Sequence, residues 1–101
     1  MNNNKLESLY KAFLSLKSVS ELRAFSRDLC TLEELKEMAE RWEIARLLNK
    51  GMTYREVAKK LNVSTTTVAR VAFWLNNGEG GYKIALRKSA RHHTSSFEKR
   101  L

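Results

Sequence analysis

The sequence predicts an all-α fold, a helical bundle that contains a helix-turn-helix, and three observations carry that expectation. The 101 residues include no proline, and the four glycines, Gly51, Gly78, Gly80 and Gly81, stand where helices would end. Three boxes of Ser or Thr with Glu three residues on mark helix starts: Ser18 with Glu21, Thr31 with Glu34 and Thr53 with Glu56. In such a box the hydroxyl and the carboxylate each satisfy a backbone N–H that the first helical turn leaves unpaired. Between boxes and glycines, apolar residues recur every three or four positions, the period of a helix that buries one face.

The first helix is capped by Asn2 or Asn4 and runs to about Leu16, with Leu6, Leu9, Tyr10, Phe13 and Leu16 along one stripe. The Ser18 box starts a second helix, Val19 to about Leu29, which is expected to bury Leu22, Phe25 and Leu29. A third helix follows Thr31 and runs from Leu32 to Lys50, closing on a basic residue and on Gly51, which suits both the helix dipole and a left-handed cap. One face of it carries Leu32, Leu35, Met38, Ala39, Trp42 and Ala45, and Ile44 and Leu47 form a second strip beside that face. Two strips imply contacts on two sides, either within one monomeric core or, the reading favoured here, with its own helix-turn-helix on one side and a second subunit on the other.

The stretch Thr53 to Asn77 organises the rest. After the Thr53 box, Val57, Ala58 and Leu61 give a short helix its apolar stripe, while Arg55, Lys59 and Lys60 point away from it. Asn62-Val63-Ser64 is a three-residue connection: Asn tolerates the left-handed conformation, Val63 plugs the space between two helices, and Ser64 or Thr65 caps the next. In the second helix Val68, Val71 or Ala72, and Leu75 form the buried stripe, leaving Thr66, Thr67 and Arg70 exposed near its N-terminal end. Such a helix presents its first residues to the DNA major groove. The plain alternative is an αα-corner with a polar first turn and no ligand.

Charge favours the first reading. Residues 1–50 carry nine Lys or Arg against eight Asp or Glu, whereas residues 51–101 carry ten against three, so +7 of the net +8 belongs to the half that holds the helix-turn-helix. That asymmetry is the footprint of a nucleic-acid binder, because each cation that neutralises a phosphate releases condensed counterions. Beyond Asn77, Gly78-Glu79-Gly80-Gly81 forms a flexible link, Tyr82, Ile84, Ala85 and Leu86 form a short helix or strand-like segment docked on the core, and residues 87–101 read as a basic flexible tail. The domain is therefore expected over residues 1–86, with the helix-turn-helix at 53–77.

Other classes find no support. No apolar run is long enough to cross a membrane and the N-terminus lacks the pattern of a secretory signal, which points to a cytoplasmic, nucleoid-associated protein. Cys30 is the sole cysteine and reads as a small core residue, so neither an internal disulfide nor a zinc site is expected from it. His92 and His93 are adjacent and would not share a helical face, which speaks against a metal pair. No nucleophile with a base and no glycine-rich phosphate loop after a strand suggests an enzyme, and no cofactor is implied.

The segment LLNKGMTYREVAKKLNVSTTTVARVAFWLNNG resembles the Trp repressor superfamily, and with GEGGYK after it the likeness is to the YerC/YecD branch of small bacterial proteins. The resemblance is strongest from Leu47 to Lys83 and covers most of the chain in helix order. It implies an intertwined homodimer whose N-terminal helices form a joint core, and a transcriptional regulator, here taken as a repressor. Carried over residue by residue, the family's reading head falls on Ser64 to Arg70, and the arginine beneath its indole pocket matches Arg70. The arginine that holds the corepressor carboxylate falls at or beside Trp42, and the small residues that make room for the indole fall at Val71 and Trp74. These departures imply that L-tryptophan is not a corepressor here, and that the two indoles are packed inside the protein.

The site expected on double-stranded DNA therefore comprises Arg55, Lys59 and Lys60 on phosphates, and Ser64, Thr65, Thr66, Thr67 and Arg70 at the base edges or the groove lip, with Arg70 suited to a bidentate contact with guanine. Short hydroxyls leave much of the specificity to water and DNA shape. The rival readings are a sequence-tolerant DNA-binding adaptor and a DNA-binding module like that of replication initiators.

Overall fold

The computed structural model describes residues 3–100, with side chains described for residues 3–90. Six helices follow one another with no strand among the described residues: α1 (Asn3–Ser15), α2 (Val19–Leu29), α3 (Leu32–Asn49), α4 (Tyr54–Leu61), α5 (Thr65–Asn77) and α6 (Gly81–Arg100). The chain divides into two compact units, Met1–Glu37 and Met38–Leu101.

Local chemistry sets most of these boundaries. Ser18 Oγ accepts the N–H of Glu21 at 3.1 Å and so caps α2, but the Glu21 carboxylate takes the N–H of Lys17 instead of that of Ser18. At α3 the box is reciprocal: Thr31 N–H donates to Glu34 at 2.8 Å and Glu34 N–H donates to the Thr31 hydroxyl at 3.1 Å. The other end of α3 closes as a Schellman motif, with Gly51 N–H on the Leu48 carbonyl and Met52 N–H on that of Leu47. Gly51 has φ 94°, the left-handed conformation this cap demands. Asn4 lies inside α1, whose first described residue is Asn3, and Asn2 lies outside the described residues.

The N-terminal unit buries none of the residues of α1 or α2. Phe13 and Phe25 meet edge to face with centroids 5.4 Å apart and are half-buried, but Leu22 and Leu29, expected inside, are exposed, and Leu14 is 85% exposed. Two short helices and the start of a third cannot enclose a core by themselves.

The other unit has a core. Ile44, Ala45 and Leu47 of α3 meet Val57 and Ala58 of α4 and Val68 and Val71 of α5, with Leu48, Met52, Leu61, Val63 and Tyr82 packed around them. The strip of α3 that fills this core is thus Ile44 and Leu47 with Ala45, while Leu32 and Met38 of the longer face are exposed. Helix α5 ends at Gly78, whose N–H donates to the Trp74 carbonyl at 2.9 Å. A Cβ on Gly78 would lie 2.5 Å from that same oxygen.

Past the glycines the backbone is helical to Arg100, so the short segment and the aperiodic tail expected at 82–86 and 87–101 are replaced by one helix through residues 81–100. The physical reason is propensity: residues 82–100 contain neither Gly nor Pro and are rich in Lys, Arg and Ala, which hold a helix without any apolar period.

Candidate nucleic-acid interface

The head is built from two caps and a turn. Thr53 N–H donates to Glu56 Oε1 at 2.8 Å and Glu56 N–H donates to Thr53 Oγ1 at 3.2 Å, which starts α4 at Tyr54. The backbone N–H of Thr53, and secondarily its side chain, holds the Glu56 carboxyl below its usual 4.5. The one acid of the helix-turn-helix is thereby tied down at the start of α4. Asn62 ends the helix in the left-handed conformation, φ 57° and ψ 48°, with its N–H on the Ala58 carbonyl. Val63 N–H reaches the same carbonyl at 3.0 Å, and the half-buried Val63 side chain packs on the core between the helices, as its sequence position predicts.

Ser64 is the cap of α5. Its hydroxyl accepts the N–H of Thr67 at 3.0 Å and lies 2.8 Å from the Thr67 hydroxyl. Two of the eight residues expected at the DNA are therefore engaged with each other, and Thr67 is half-buried. Thr65, Thr66 and Arg70 are exposed; Thr66 and Arg70 are four residues apart on one face of α5, while Val68, Val71 and Ala72 face the core. On α4, Arg55 and Lys59 share a face by the same spacing, and Lys60 lies nearer the side of the helix. All three are exposed. Arg46 pairs with Glu43 at 2.7 Å, and no described carboxylate pairs with the cations of the helix-turn-helix.

This arrangement is chemically suited to polyanions. The helix-turn-helix exposes four cations, Arg55, Lys59, Lys60 and Arg70, and the two short hydroxyls of Thr65 and Thr66, which stand in the first turn of α5 at the positive end of its helix dipole. Tyr54, the first residue of α4 and the neighbour of Arg55, is 46% exposed.

The tryptophans depart from expectation. Val71 sits in the core at 3% exposure, but Trp74 is 57% exposed and stacks edge to face on the equally exposed Phe73, with centroids 5.3 Å apart. Helical phase explains it: Val68, Val71, Ala72 and Leu75 already occupy the inward face, which turns positions 73 and 74 away from it. Trp42 is half-buried and lines, with Arg46, Asn49 and Lys50, an open groove of about 460 Å³ against Leu86, Ser89 and Ala90 of α6.

Comparison with known proteins accords with this architecture. The family model described as Trp repressor protein matches residues 4–90. The protein YerC of Bacillus subtilis (strain 168), described as uncharacterized, is 36% identical over 99 residues, which are 98% of this chain and 95% of that protein. A Trp operon repressor homolog of Chlamydia trachomatis serovar L2 is 36% identical over 90 residues, covering 84% of this chain and 96% of its own. The crystal structure of a TrpR like protein from Eubacterium eligens ATCC 27750 superposes with a TM-score of 0.81 at 36% identity, covering 86% of this chain and 90% of that one. With a family model matched across both units and a relative aligned along nearly its full length, the chain belongs to the Trp repressor family.

Proposed function

We propose that this protein is a DNA-binding transcriptional regulator, a repressor, that reads a two-fold symmetric site as a homodimer and takes no L-tryptophan as corepressor. The observation that carries the reading is the helix-turn-helix itself, which exposes Arg55, Lys59, Lys60 and Arg70, none of them paired with a described carboxylate, together with Thr65 and Thr66 in the first turn of α5. Arg55, Lys59 and Lys60 hold phosphates, Arg70 reads a base edge, and Thr65 and Thr66 contact the groove directly or through water. Ser64 and Thr67 shape the first turn of α5 and reach DNA only at the groove lip. The Trp operon repressor homolog among its relatives supports a regulatory role.

Homodimerisation is supported by the N-terminal helices, which leave Tyr10, Leu14, Val19, Leu22 and Leu29 exposed, and by Phe73 and Trp74 on α5. A second copy of the chain offers matching apolar surface for all of these. Independence from tryptophan is supported by Val71, whose side chain fills core space, and by the family's carboxylate-holding arginine falling at or beside the half-buried Trp42. Selection of bound sequences from a random double-stranded DNA pool tests the whole reading. A two-fold motif with half-sites about one helical turn, ~34 Å, apart is expected. A pool with no enriched motif, with or without added tryptophan, overturns it.

A further inference from the structure

We propose that α6 is a second DNA-contacting element, in which Lys83 and Arg87 hold backbone phosphates beside the site read by α4 and α5; this rests on the DNA reading above. Helix α6 is not a free appendage of the head. Tyr82 packs on the core of the helix-turn-helix and Leu86 is buried, so two residues one turn apart fix the orientation of the first half of the helix. Lys83 and Arg87 each follow one of these anchors by a single residue. They lie four residues apart on one flank of α6, and both are exposed.

No acidic residue occurs from Gly81 to Ala90, and neither cation pairs with a described carboxylate. Like charges at this spacing repel along a helix, so the row works against α6 unless an anion lies across it. The compact unit that carries it also carries Arg55, Lys59, Lys60 and Arg70, all without carboxylate partners. A regularly charged polyanion that engages the head is thus the partner whose charge pattern both rows fit, and duplex DNA supplies one phosphate per ~1.7 Å of axis. Lys88 provides an internal control. It has the same charge and exposure on the same helix, but follows Arg87 directly and so points about 100° away from it.

The test is the salt dependence of binding to a selected duplex, measured for the unsubstituted protein, for the double variant Lys83→Gln/Arg87→Gln and for Lys88→Gln, each with circular dichroism confirming native helix content. Each lost phosphate contact lowers the slope of log K against log salt by ~0.9, so the double variant is expected to lose about 1.8 per bound chain while Lys88→Gln keeps the original slope. An unchanged slope in the double variant overturns the proposal and leaves the head as the DNA site. A loss in Lys88→Gln equal to that per residue in the double variant also overturns it, because the effect is then net charge and not a row. Failure of the unsubstituted protein to bind any duplex overturns the DNA reading and this proposal with it.

Discussion

The hydroxyls of Ser64 and Thr67 lie 2.8 Å apart, and Ser64 Oγ also accepts the Thr67 N–H at 3.0 Å, so the first turn of α5 is closed by a pair of side chains that the sequence offers equally to DNA. Ser64→Ala is expected to lower stability by about 1 kcal/mol, read as a drop in the urea midpoint. Ser64→Asp keeps the cap and should hold that midpoint near the original, yet weaken DNA binding by placing a carboxylate at the groove lip. Equal binding by Ser64→Asp and the unsubstituted protein would place this turn away from DNA.

Asn62 is the one non-glycine residue with positive φ among those described. Asn62→Ala is expected to destabilise by ~1 kcal/mol, because a Cβ without a local polar partner disfavours the left-handed region, whereas Asn62→Gly should be nearly neutral. Thermal unfolding of the two variants side by side measures the difference.

Arg70 and Lys60 should separate base reading from phosphate grip. Arg70→Ala is expected to cost ~1–3 kcal/mol on the selected site and little on random DNA, while Lys60→Ala weakens all sequences alike and flattens the salt slope by about one. Identical losses for both on every sequence would refute this division.

The capping carboxylates give a pH dependence whose sign is fixed. Glu34 and Glu56 are each held below the ordinary 4.5 by N–H donation from the threonine three residues earlier, so the folded state binds their protons less readily than the unfolded chain does. Their contribution is complete above 4.5 and is lost as pH falls through the lower folded values. Urea titrations at stepped acidic pH should show stability falling below that point, and Glu56→Gln, which retains an acceptor but does not titrate, should remove part of the fall.

Assembly is testable by the protein's own fluorescence. Trp74 is 57% exposed in the single chain, so its burial in a homodimer predicts a blue-shifted emission that moves to the red on dilution. Leu14→Glu and Leu22→Glu should each shift sedimentation toward the single chain. A monomer at all concentrations would reject the dimer.

What the sequence disclosed follows the range of the forces involved. The starts of α2, α3, α4 and α5 were legible because each is set by a hydroxyl and a backbone N–H three residues away. The buried strip of α3 was not, because its apolar residues surround the helix and only Val57, Val68 and Val71 across the core decide that Ile44 and Leu47 turn inward. The positions of Thr66 and Arg70 followed from helical phase, whereas the engagement of Thr67 by Ser64 depends on the side-chain rotamers that the folded turn selects. Helix α6 was missed because it has no apolar period beyond Leu86, and its helicity comes from propensity and an unbroken run without Gly or Pro.

Gly78 constrains how this protein can diverge. Even the smallest side chain at that position would drive its first carbon into the Trp74 carbonyl, at 2.5 Å, with backbone rather than a yielding side chain on the other side of the collision. Substitution at Gly78 therefore offers no gradual way to re-aim α6 from α5, whereas a Cβ at Gly81 would meet open space. Change in this connection is expected to enter at its second half, where α6 begins, and to leave the end of α5 as it is.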